Sequence, residues 1–242
     1  MEAWLKEIQQ RVKNNTINEA IANMAYVSTH SFTASQKRYL KIKRLLDVVF
    51  AVILLIPASV IMLLFIIWIR LESKGSAIFK QRRPGYHQNI FTMYKLRSMR
   101  METRDKTGRA LSDKERMTVS GNIARKTSVD ELPQLINIIK GDMSFIGPRP
   151  FLINDLGTYN EEQLVRFEVL PGITSWTAIH GRNNQTIQDK YNQEIYYVNN
   201  ISFSLDMKIF FKTIALVFSQ KDVEDHTTEG RIGAEIIEDD NI

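Results

Sequence analysis

The sequence predicts a small mixed α/β domain, attached to a membrane by a proline-broken re-entrant helix and by amphipathic helices in the interface. The first observation is Val48–Ile69, an uncharged run of 22 residues. As a helix it would be about 33 Å long and could reach across a bilayer. The second is Ser76–Met99, where two strand-like segments flank the turn residues Pro84 and Gly85. The third is helical spacing of apolar residues in later segments, strongest over Leu205–Phe218.

The apolar run differs from a simple spanning helix in two ways. Pro57 lies near its middle, where a proline removes a backbone hydrogen bond and kinks a helix. Both flanks are basic, although a spanning helix normally carries its excess of Lys and Arg on the cytoplasmic side only. The basic residues are Lys37, Arg38, Lys41, Lys43 and Arg44 before the run, and Arg70, Lys74, Lys80, Arg82 and Arg83 after it. We therefore predict that the helix breaks at Pro57 and that both of its ends stay on the cytoplasmic side.

Composition and charge divide the chain into four parts. Residues 1–36 are polar and show short helical patterns, which predicts a helical extension. Residues 37–70 hold the basic-flanked membrane helix, and residues 71–221 hold the domain with the candidate reactive groups. Residues 222–242 carry eight acidic residues and one basic residue, and we expect them to form an acidic tail.

Three further helices are predicted from local signals. Ser128 is a good N-cap and Gly141 a good terminating residue for a helix over Val129–Lys140. A second candidate is Gln188–Asn199. The third, Leu205–Phe218, is too short to span a membrane, and its broad apolar arc fits either a helix in the membrane interface or a core helix.

Composition also excludes several classes of function. The sequence has no cysteine, and none of its four histidines forms a His-Glu-x-x-His pair. Disulfide frameworks, thiol chemistry and a histidine metal site are therefore not expected. The chain before the acidic tail is strongly basic, which suits phosphates or an anionic lipid surface. It has no nucleic-acid recognition motif, so we expect no nucleic-acid partner.

The candidate reactive groups are an acidic pair and a set of cations. Asp130 and Glu131 follow Ser128, an arrangement that is either an ordinary capping box or part of a site. Several cations around this pair would make a site for a diphosphate and a divalent metal, because arginine pairs with phosphate and Mg²⁺ takes carboxylates together with substrate phosphates. The cations are Lys95 and Arg97, expected on one face of a strand, with Arg125, Arg149 and Arg182. Arg149 lies between Pro148 and Pro150, which stiffen its backbone.

Several segments occur in a characteristic order. They are Lys43–Asp47 (KRLLD), the proline-containing apolar helix, Tyr94–Met99 (YKLRSM), Asp130–Gln134 (DELPQ), Gly141–Pro150 (GDMSFIGPRP) and Pro171–Thr174 (PGIT). Together they resemble the bacterial sugar transferase family, the monotopic polyprenyl-phosphate phosphoglycosyltransferases. The match runs from about Lys43 to Phe218, and its two long central motifs are highly specific.

This resemblance implies an enzyme that transfers a sugar-1-phosphate from a UDP-sugar to polyprenyl (undecaprenyl) phosphate and releases UMP, as the first membrane step of a surface glycan pathway. It implies that Asp130 is the nucleophile, forming a phosphosugar-aspartyl intermediate, and that Glu131 is its partner. Mg²⁺ is expected to bridge Asp130 and the diphosphate. The positions that match phosphate-handling cations are Lys95, Arg125, Arg149 and Arg182, and Asp206 matches an acidic position near the site.

The resemblance also implies partners and a location. The partners are the UDP-sugar, polyprenyl phosphate, membrane lipid and, as a further candidate, downstream glycosyltransferases. The expected place is the bacterial cytoplasmic (inner) membrane, with the catalytic domain on the cytoplasmic face. Because the multi-helix N-terminal extension of longer relatives is absent, we expect the short form with a single anchor. Two alternatives stay open: a membrane-anchored nucleotide-sugar phosphohydrolase and a non-catalytic membrane scaffold.

The chain departs from the family pattern at two places. Ile56 precedes Pro57 where many relatives have serine, which bears on the detail of the helix break. Ser175 and Ile179–His180 stand where many relatives have Gly and Val-Asn. The second departure is a candidate influence on the choice of sugar.

Overall fold

The chain folds as a mixture of helices and short strands around one long apolar helix. A computed structural model describes residues 30–153, 156, 159–160, 162–181 and 185–219. The elements are α1 (Ala34–Glu72), β1 (Ile78–Pro84), β2 (Ile90–Leu96), α2 (Asp113–Arg116), α3 (Val119–Lys126), α4 (Gln134–Lys140), β3 (Ser144–Ile146), β4 (Gly172–Thr174), α5 (Ile187–Asn199) and α6 (Phe203–Ser219). Among these residues, 3₁₀ turns at Tyr86–Gln88, Val129–Glu131, Gln163–Glu168 and Thr177–His180 join the helices and strands. Most of the expected N-terminal extension and all of the acidic tail lie outside the described residues.

Helix α1 is continuous through Pro57. Its 39 residues begin at a capping box, in which Thr33 and Gln36 exchange side-chain and backbone hydrogen bonds. Measured along its axis, a helix of this length is about 58 Å long. The helix is not interrupted at Pro57 as expected, and a bend at this residue stays a prediction. Ala51 and Ala58, on either side of Pro57, pack on the domain.

One face of α1 is buried against the domain and the other is exposed and apolar. The buried residues are Asp47, Ala51, Ala58, Met62 and Ile69. They are four or seven residues apart, which places them on one stripe of the helix. The exposed apolar side chains are Ile42, Leu45, Leu46, Val49, Phe50, Val52, Ile53, Leu54, Ile56, Val60, Ile61, Leu63, Leu64, Ile67, Trp68 and Leu71. An exposed apolar face of this extent marks a contact surface for lipid or protein. Among the described residues, α1 is the helix long and apolar enough to cross a membrane.

Polar contacts join the first part of α1 to elements far along the chain. Arg44 donates to the carbonyl oxygens of Ile138 and Ile139 at 2.6 and 3.2 Å, in the last turn of α4, where carbonyls lack the usual partner four residues on. Ser144 in β3 donates to the carboxylate of Asp47 at 2.7 Å. The first part of α1 is therefore hydrogen-bonded to both α4 and β3.

The last residue of α1 binds the N-terminus of helix α3. The carboxylate of Glu72 accepts the backbone N–H groups of Val119 and Ser120 at 2.6 and 2.9 Å. These are N–H groups of the first turn of α3, which lack partners within that helix. The end of α1 is thus fixed to α3.

The predicted hairpin is confirmed. Strands β1 and β2 pair antiparallel, from Ile78 opposite Leu96 to Pro84 opposite Ile90, and the connection begins at Gly85. Strands β3 and β4 pair in parallel.

The helix expected over Val129–Lys140 is divided. Residues Val129–Glu131 form a 3₁₀ turn, and α4 begins only after Pro133. Ser128 has a left-handed backbone, with φ of 57°, and its side chain makes no capping hydrogen bond, so the predicted N-cap at Ser128 is wrong and the capping-box alternative does not hold. Gly141 does end the helix, with φ of 97° and its N–H bonded to the carbonyls of Asn137 and Ile138. Asp130 and Glu131 therefore lie on a separate short turn in front of α4.

The two later helices are confirmed, with small shifts at their ends. Helix α5 covers the candidate Gln188–Asn199 and begins one residue earlier. Helix α6 buries Leu205 and Ile209 in the core but exposes Phe210 and Phe211. It therefore has one side packed on the domain and another that is apolar and exposed, and its contact with a membrane stays a prediction.

We expect Gly121→Ala to destabilise the protein. A Cβ at Gly121 in α3 would lie 2.0 Å from the carbonyl oxygen of Ser98 and 2.4 Å from its Cα. Both atoms belong to the backbone, so overpacking here should lower the free energy of unfolding by about 1–3 kcal/mol. Thermal unfolding in detergent, followed by circular dichroism, measures the change. Asn122→Ala, on the exposed side of the same helix, is the matched control, and equal melting temperatures for the two variants would contradict the close packing of α3 on Ser98.

Candidate active site

Four elements bring charged side chains to one place. Lys95 lies near the end of β2, Arg125 in the last turn of α3, Asp130 and Glu131 on the 3₁₀ turn, and Arg149 in the loop after β3. The sequence predicted that these five residues belong to one site, and the structure places them in mutual electrostatic contact.

Asn137 fixes α4, which follows the acidic turn, to strand β2. Its side-chain N–H donates to the carbonyl of Thr92 at 2.7 Å, and its side-chain oxygen accepts the N–H of Tyr94 at 3.1 Å. Asn137 is fully buried, and its amide takes the place of a strand partner at this edge of the hairpin. This contact sets the acidic turn beside Lys95.

Glu131 lies between two of the cations. Lys95 Nζ donates to Glu131 Oε1 at 3.2 Å, and Arg149 Nη2 lies 3.9 Å from the same oxygen. The three side chains are about one-fifth exposed, at 21, 19 and 18% for Lys95, Arg149 and Glu131. A group of this exposure can be reached by a ligand yet is screened by water less than a surface ion pair. Glu131 therefore holds two cations beside Asp130.

Asp130 is the buried member of the acidic pair, with 9% of its surface exposed. Burial is the main cause that raises the pKa of Asp130 to about 6, and the negative charge of Glu131 adds to it, while Lys95 and Arg125 oppose the shift. A shifted carboxylate with named charge partners is typical of a functional site. Asp130 therefore has the environment expected of a reactive group.

Arg125 is oriented by a serine that sequence reasoning did not single out. Its Nε donates to the hydroxyl of Ser98 at 2.8 Å. Ser98 is buried, and it lies in the Tyr94–Met99 segment that carried the family resemblance. That segment therefore supplies Lys95 to the acidic pair and also supports the neighbouring cation.

The arrangement suits a phosphorylated ligand with a divalent cation. The five charged groups are three cations and two carboxylates, so the cluster carries a net positive charge. Mg²⁺ is commonly held by one or two carboxylates together with substrate phosphates. The described residues contain no cluster of three or more His, Cys, Asp or Glu that could hold a metal by itself. The carboxylates fit Mg²⁺ only in that shared mode, and Asp130, the predicted ligand, is the buried oxygen donor.

Arg97 has other partners than the ones expected. Its guanidinium, 4% exposed, donates to the carbonyl of Lys74 and to the carbonyl and hydroxyl of Ser73, the last two at 2.9 and 2.8 Å. These oxygens follow the end of α1, where a cation is favourable. Arg97 follows the last residue of β2 and thus joins the end of the hairpin to α1. Its contact with substrate phosphate stays a prediction.

Another predicted residue, Asp206, has structural partners. Asp206 is buried at the junction of α1, α5 and α6, where it accepts hydrogen bonds from Tyr39 and Tyr197 and lies 2.9 Å from Lys43 Nζ. Its contacts therefore attach α1 to the domain. Arg182 lies outside the described residues.

The backbone around Arg149 depends on charged residues that the sequence reasoning missed. They are Arg83, Arg166 and Glu194, which bond to the backbone of residues 149 and 150. Arg166 is surrounded in sequence by apolar residues, as in Val165 and Phe167. A charge within such a stretch was the signal that could have identified it.

Residues 38–220 match the family described as bacterial sugar transferase. The chain belongs to the bacterial sugar transferase family. The resemblance seen in the motifs is confirmed.

Individual relatives agree with this family assignment. The chain is 45% identical over 192 residues to an uncharacterized sugar transferase, EpsL, of Bacillus subtilis (strain 168), covering 78% of this chain and 95% of that protein. It is 34% identical over 189 residues to the UDP-glucose:undecaprenyl-phosphate glucose-1-phosphate transferase of Escherichia coli (strain K12), covering 74% of this chain and 41% of that protein. It is 35% identical over 193 residues to the undecaprenyl-phosphate galactose phosphotransferase of Salmonella typhimurium (strain LT2), covering 73 and 40%. The last two relatives are named for different sugars, so family membership does not by itself select one.

We expect Asp130→Asn to stabilise the fold at neutral and alkaline pH. Folding raises the pKa of Asp130 to about 6 from its usual value of 3.8, so folding disfavours its charged form. The destabilisation is complete above pH 6 and disappears as the pH falls through this window towards 3.8. Asparagine removes the charge, and the free energy of unfolding at pH 8 should rise by about 1–3 kcal/mol.

Thermal unfolding in metal-free buffer tests this, with exposed Asp113→Asn as the control. The gain in melting temperature should shrink when the pH is lowered from 8 to 5. A gain in melting temperature that is independent of pH, or a loss at pH 8, would show that folding does not disfavour the charged form of Asp130.

Proposed function

We propose that this protein transfers a sugar-1-phosphate from a UDP-sugar to polyprenyl phosphate, with Asp130 as the nucleophile. The observation that carries the proposal is the buried Asp130 carboxylate, with a raised pKa, inside a net cationic cluster. Membership of the sugar transferase family supports it, as do relatives named for transfer of sugar phosphate to undecaprenyl phosphate.

In the first half-reaction, a carboxylate oxygen of Asp130 attacks the β-phosphorus of the UDP-sugar. A bond forms between this oxygen and phosphorus, and the bond from the β-phosphorus to the bridging oxygen of the diphosphate breaks. UMP leaves with the electron pair, and the sugar phosphate remains on Asp130 as an acyl phosphate. Cations close to the transferring phosphoryl group stabilise its negative charge, which is the role of Lys95, Arg125 and Arg149.

In the second half-reaction, an oxygen of polyprenyl phosphate attacks the phosphorus of the acyl phosphate. The bond between phosphorus and Asp130 breaks, and the carboxylate is restored. The product is a polyprenyl diphosphate sugar. One diphosphate bond has replaced another, so the overall reaction should be close to thermoneutral and reversible.

Glu131 is proposed to organise the cations rather than to react. It binds Lys95 at 3.2 Å and lies 3.9 Å from Arg149, so it keeps both within reach of phosphate oxygens. Its negative charge also contributes to the raised pKa of Asp130. The two carboxylates therefore have different roles because one is buried and the other is paired.

Mg²⁺ is the proposed cofactor, held by Asp130 together with the diphosphate. When bound, it would supply positive charge for the leaving and attacking oxygens. The residues of this chain do the rest: they hold the phosphates, carry the nucleophile and, through burial, limit access of water to Asp130.

The contacts of α1 support a topology in which both of its ends lie on the side of the domain. Near its start, Gln36 donates to the carbonyl of Asn199 at 2.9 Å, and Lys43 pairs with Asp206. At its end, Glu72 binds α3. A helix crossing the bilayer would place its ends on opposite faces, about 30 Å or more apart, where one polar domain could not contact both. We propose that α1 enters and leaves on the cytoplasmic side, where UDP-sugars are made, and that its exposed apolar face and that of α6 lie against membrane lipid.

We expect a covalent adduct on Asp130. The purified protein, given Mg²⁺ and a UDP-sugar without acceptor, should gain the mass of one sugar phosphate on the peptide that contains Asp130. Added polyprenyl phosphate should remove it with formation of the lipid product. Intact-protein and peptide mass spectrometry, with a panel of UDP-sugars, measures both.

Asp130→Asn should give neither adduct nor product, and Glu131→Gln should be severely impaired in transfer. Excess chelator should stop the reaction until Mg²⁺ is restored.

Asp113→Asn, an exposed aspartate on α2, is the matched control and should behave as the unmodified protein. Normal transfer by Asp130→Asn would contradict the nucleophile assignment. Release of free sugar phosphate without lipid acceptor would indicate a phosphohydrolase. If the unmodified protein reacts with none of the UDP-sugars, a non-catalytic scaffold is favoured.

The topology is tested with single cysteines, since the sequence has none. Ser35→Cys and Lys74→Cys place exposed thiols just inside the start and just after the end of α1, and Lys106→Cys marks the side of the domain. All three should resist a membrane-impermeant thiol reagent added outside intact cells and react in inverted vesicles. Labelling of Ser35→Cys alone from outside would mean that α1 spans the membrane.

A further inference from the structure

The segment Pro148–Pro150 has all of its backbone polar groups bonded. The carbonyl of Pro148 accepts the N–H of Gly172 at 3.0 Å, and the carbonyl of Pro150 accepts from Arg83 Nη1 at 3.1 Å. The N–H of Arg149 donates to Glu194 Oε1 at 3.2 Å, and its carbonyl accepts from Arg166 Nη2. The two prolines have no N–H, and their φ angles are fixed by the ring. The backbone of Arg149 is therefore held in place on every polar group that it has.

Arg166 and Glu194 form a buried ion pair behind this segment. Arg166 Nη2 lies 2.9 Å from Glu194 Oε2, and the side chains are only 3 and 1% exposed. The same nitrogen, Arg166 Nη2, donates a hydrogen bond to the carbonyl of Arg149. The other carboxylate oxygen of Glu194, Oε1, accepts the N–H of Arg149. The pair thus binds both polar groups of one peptide residue, one with each partner.

The surroundings of Arg166 fix its guanidinium in place. Its Nη1 donates to the hydroxyl of Tyr159, and its central carbon lies 4.2 Å from the ring centre of Phe151 and 5.0 Å from that of Tyr159. Cation–π contacts of this kind partly replace lost hydration. Burial raises the pKa of Glu194 to about 7, and Arg166 opposes that shift.

A buried ion pair is not explained by stability alone. Replacing such a pair by apolar residues of similar size is often neutral or stabilising, because desolvation of two charges offsets their attraction. Here Arg166 donates to the carbonyl of Arg149 and Glu194 accepts its N–H, while the side chain of Arg149 reaches Glu131. A displacement of about 1 Å in a group that positions substrate can cost about 100-fold in rate.

We infer that Arg166 and Glu194 are positioning residues for Arg149, and that they set its guanidinium at the phosphates of the substrate. This inference rests on the proposed function, since it takes Arg149 to be a phosphate ligand. Neither Arg166 nor Glu194 touches substrate, and both act through the backbone of the segment between Pro148 and Pro150.

The test is a double-mutant cycle between Arg166→Gln and Arg149→Ala. Alone, Arg166→Gln should lower kcat/KM for the best UDP-sugar by about 10- to 100-fold, and Arg149→Ala by at least as much. In the Arg149→Ala background, Arg166→Gln should change kcat/KM by less than about threefold, because the residue that it positions is gone. A role in folding alone would give the same loss in both backgrounds and would overturn the inference.

A second variant guards against simple unfolding. Arg166→Gln leaves Glu194 buried without its partner, whereas Arg166→Gln with Glu194→Gln is a neutral pair that avoids an uncompensated charge. The double variant should melt close to the unmodified protein yet keep the loss in kcat/KM. Recovery of full activity in this folded variant would overturn the inference. Arg104→Gln, an exposed arginine outside the site, is the control for loss of one positive charge.

Binding of UDP with Mg²⁺, measured by calorimetry across the same cycle, separates the inference from the proposed function. If the unmodified protein binds UDP and the effects on affinity are non-additive, the positioning role holds even where no sugar transfer is found and the proposed function fails. If transfer is found but the effects on UDP affinity and on kcat/KM are additive, the positioning role fails and the proposed function stands. If UDP affinity does not depend on Arg149, the inference is overturned.

Discussion

The packing of α1 against the rest of the chain is the constraint on which the other parts depend. This helix meets two environments, because its exposed face is apolar while its opposite stripe is packed on the domain. Ala51 and Ala58 are small, so α4 and β2 can approach the helix closely. Those elements adjoin or carry the acidic turn and Lys95, and the end of α1 fixes α3, which carries Arg125. The helix with the exposed apolar face therefore also positions the elements of the site.

Buried charge is the second organising feature. Asp47 and Asp206 are almost fully buried, and each is compensated by Lys43 and by hydroxyl donors. Asp130 is different, because the cations that oppose its burial, Lys95 and Arg125, belong to the candidate site. A group that folding holds in an unfavourable state is common at sites of chemistry, where stability is given up for reactivity. The contrast separates charges that attach α1 from the charge that is proposed to react.

Much of the site could be predicted because its residues lie in local motifs with specific spacing. Lys95, Glu131 and Arg149 were expected together and are in contact. Arg97 was assigned by counting along a strand, but its guanidinium is taken by the carbonyls that follow α1, an attraction that strand alternation cannot reveal. The capping box of Ser128 was an equally local argument, and it failed because the chain turns left-handed there and Pro133 starts a new helix.

The sequence by itself determined the apolar helix with its basic flanks, the hairpin, the order of the later helices and the family, because these depend on spacing and residue type over short stretches. The tertiary structure decided that α1 continues through Pro57, and that Arg166 and Glu194 enclose the backbone of Arg149. It also decided that Asp206 binds α1, since Asp206 accepts a hydrogen bond from Tyr39, which lies 167 residues earlier in the chain. Such contacts join residues far apart in sequence, and the free energy of burying their charges is set by whatever the fold places around them. No local pattern contains that information.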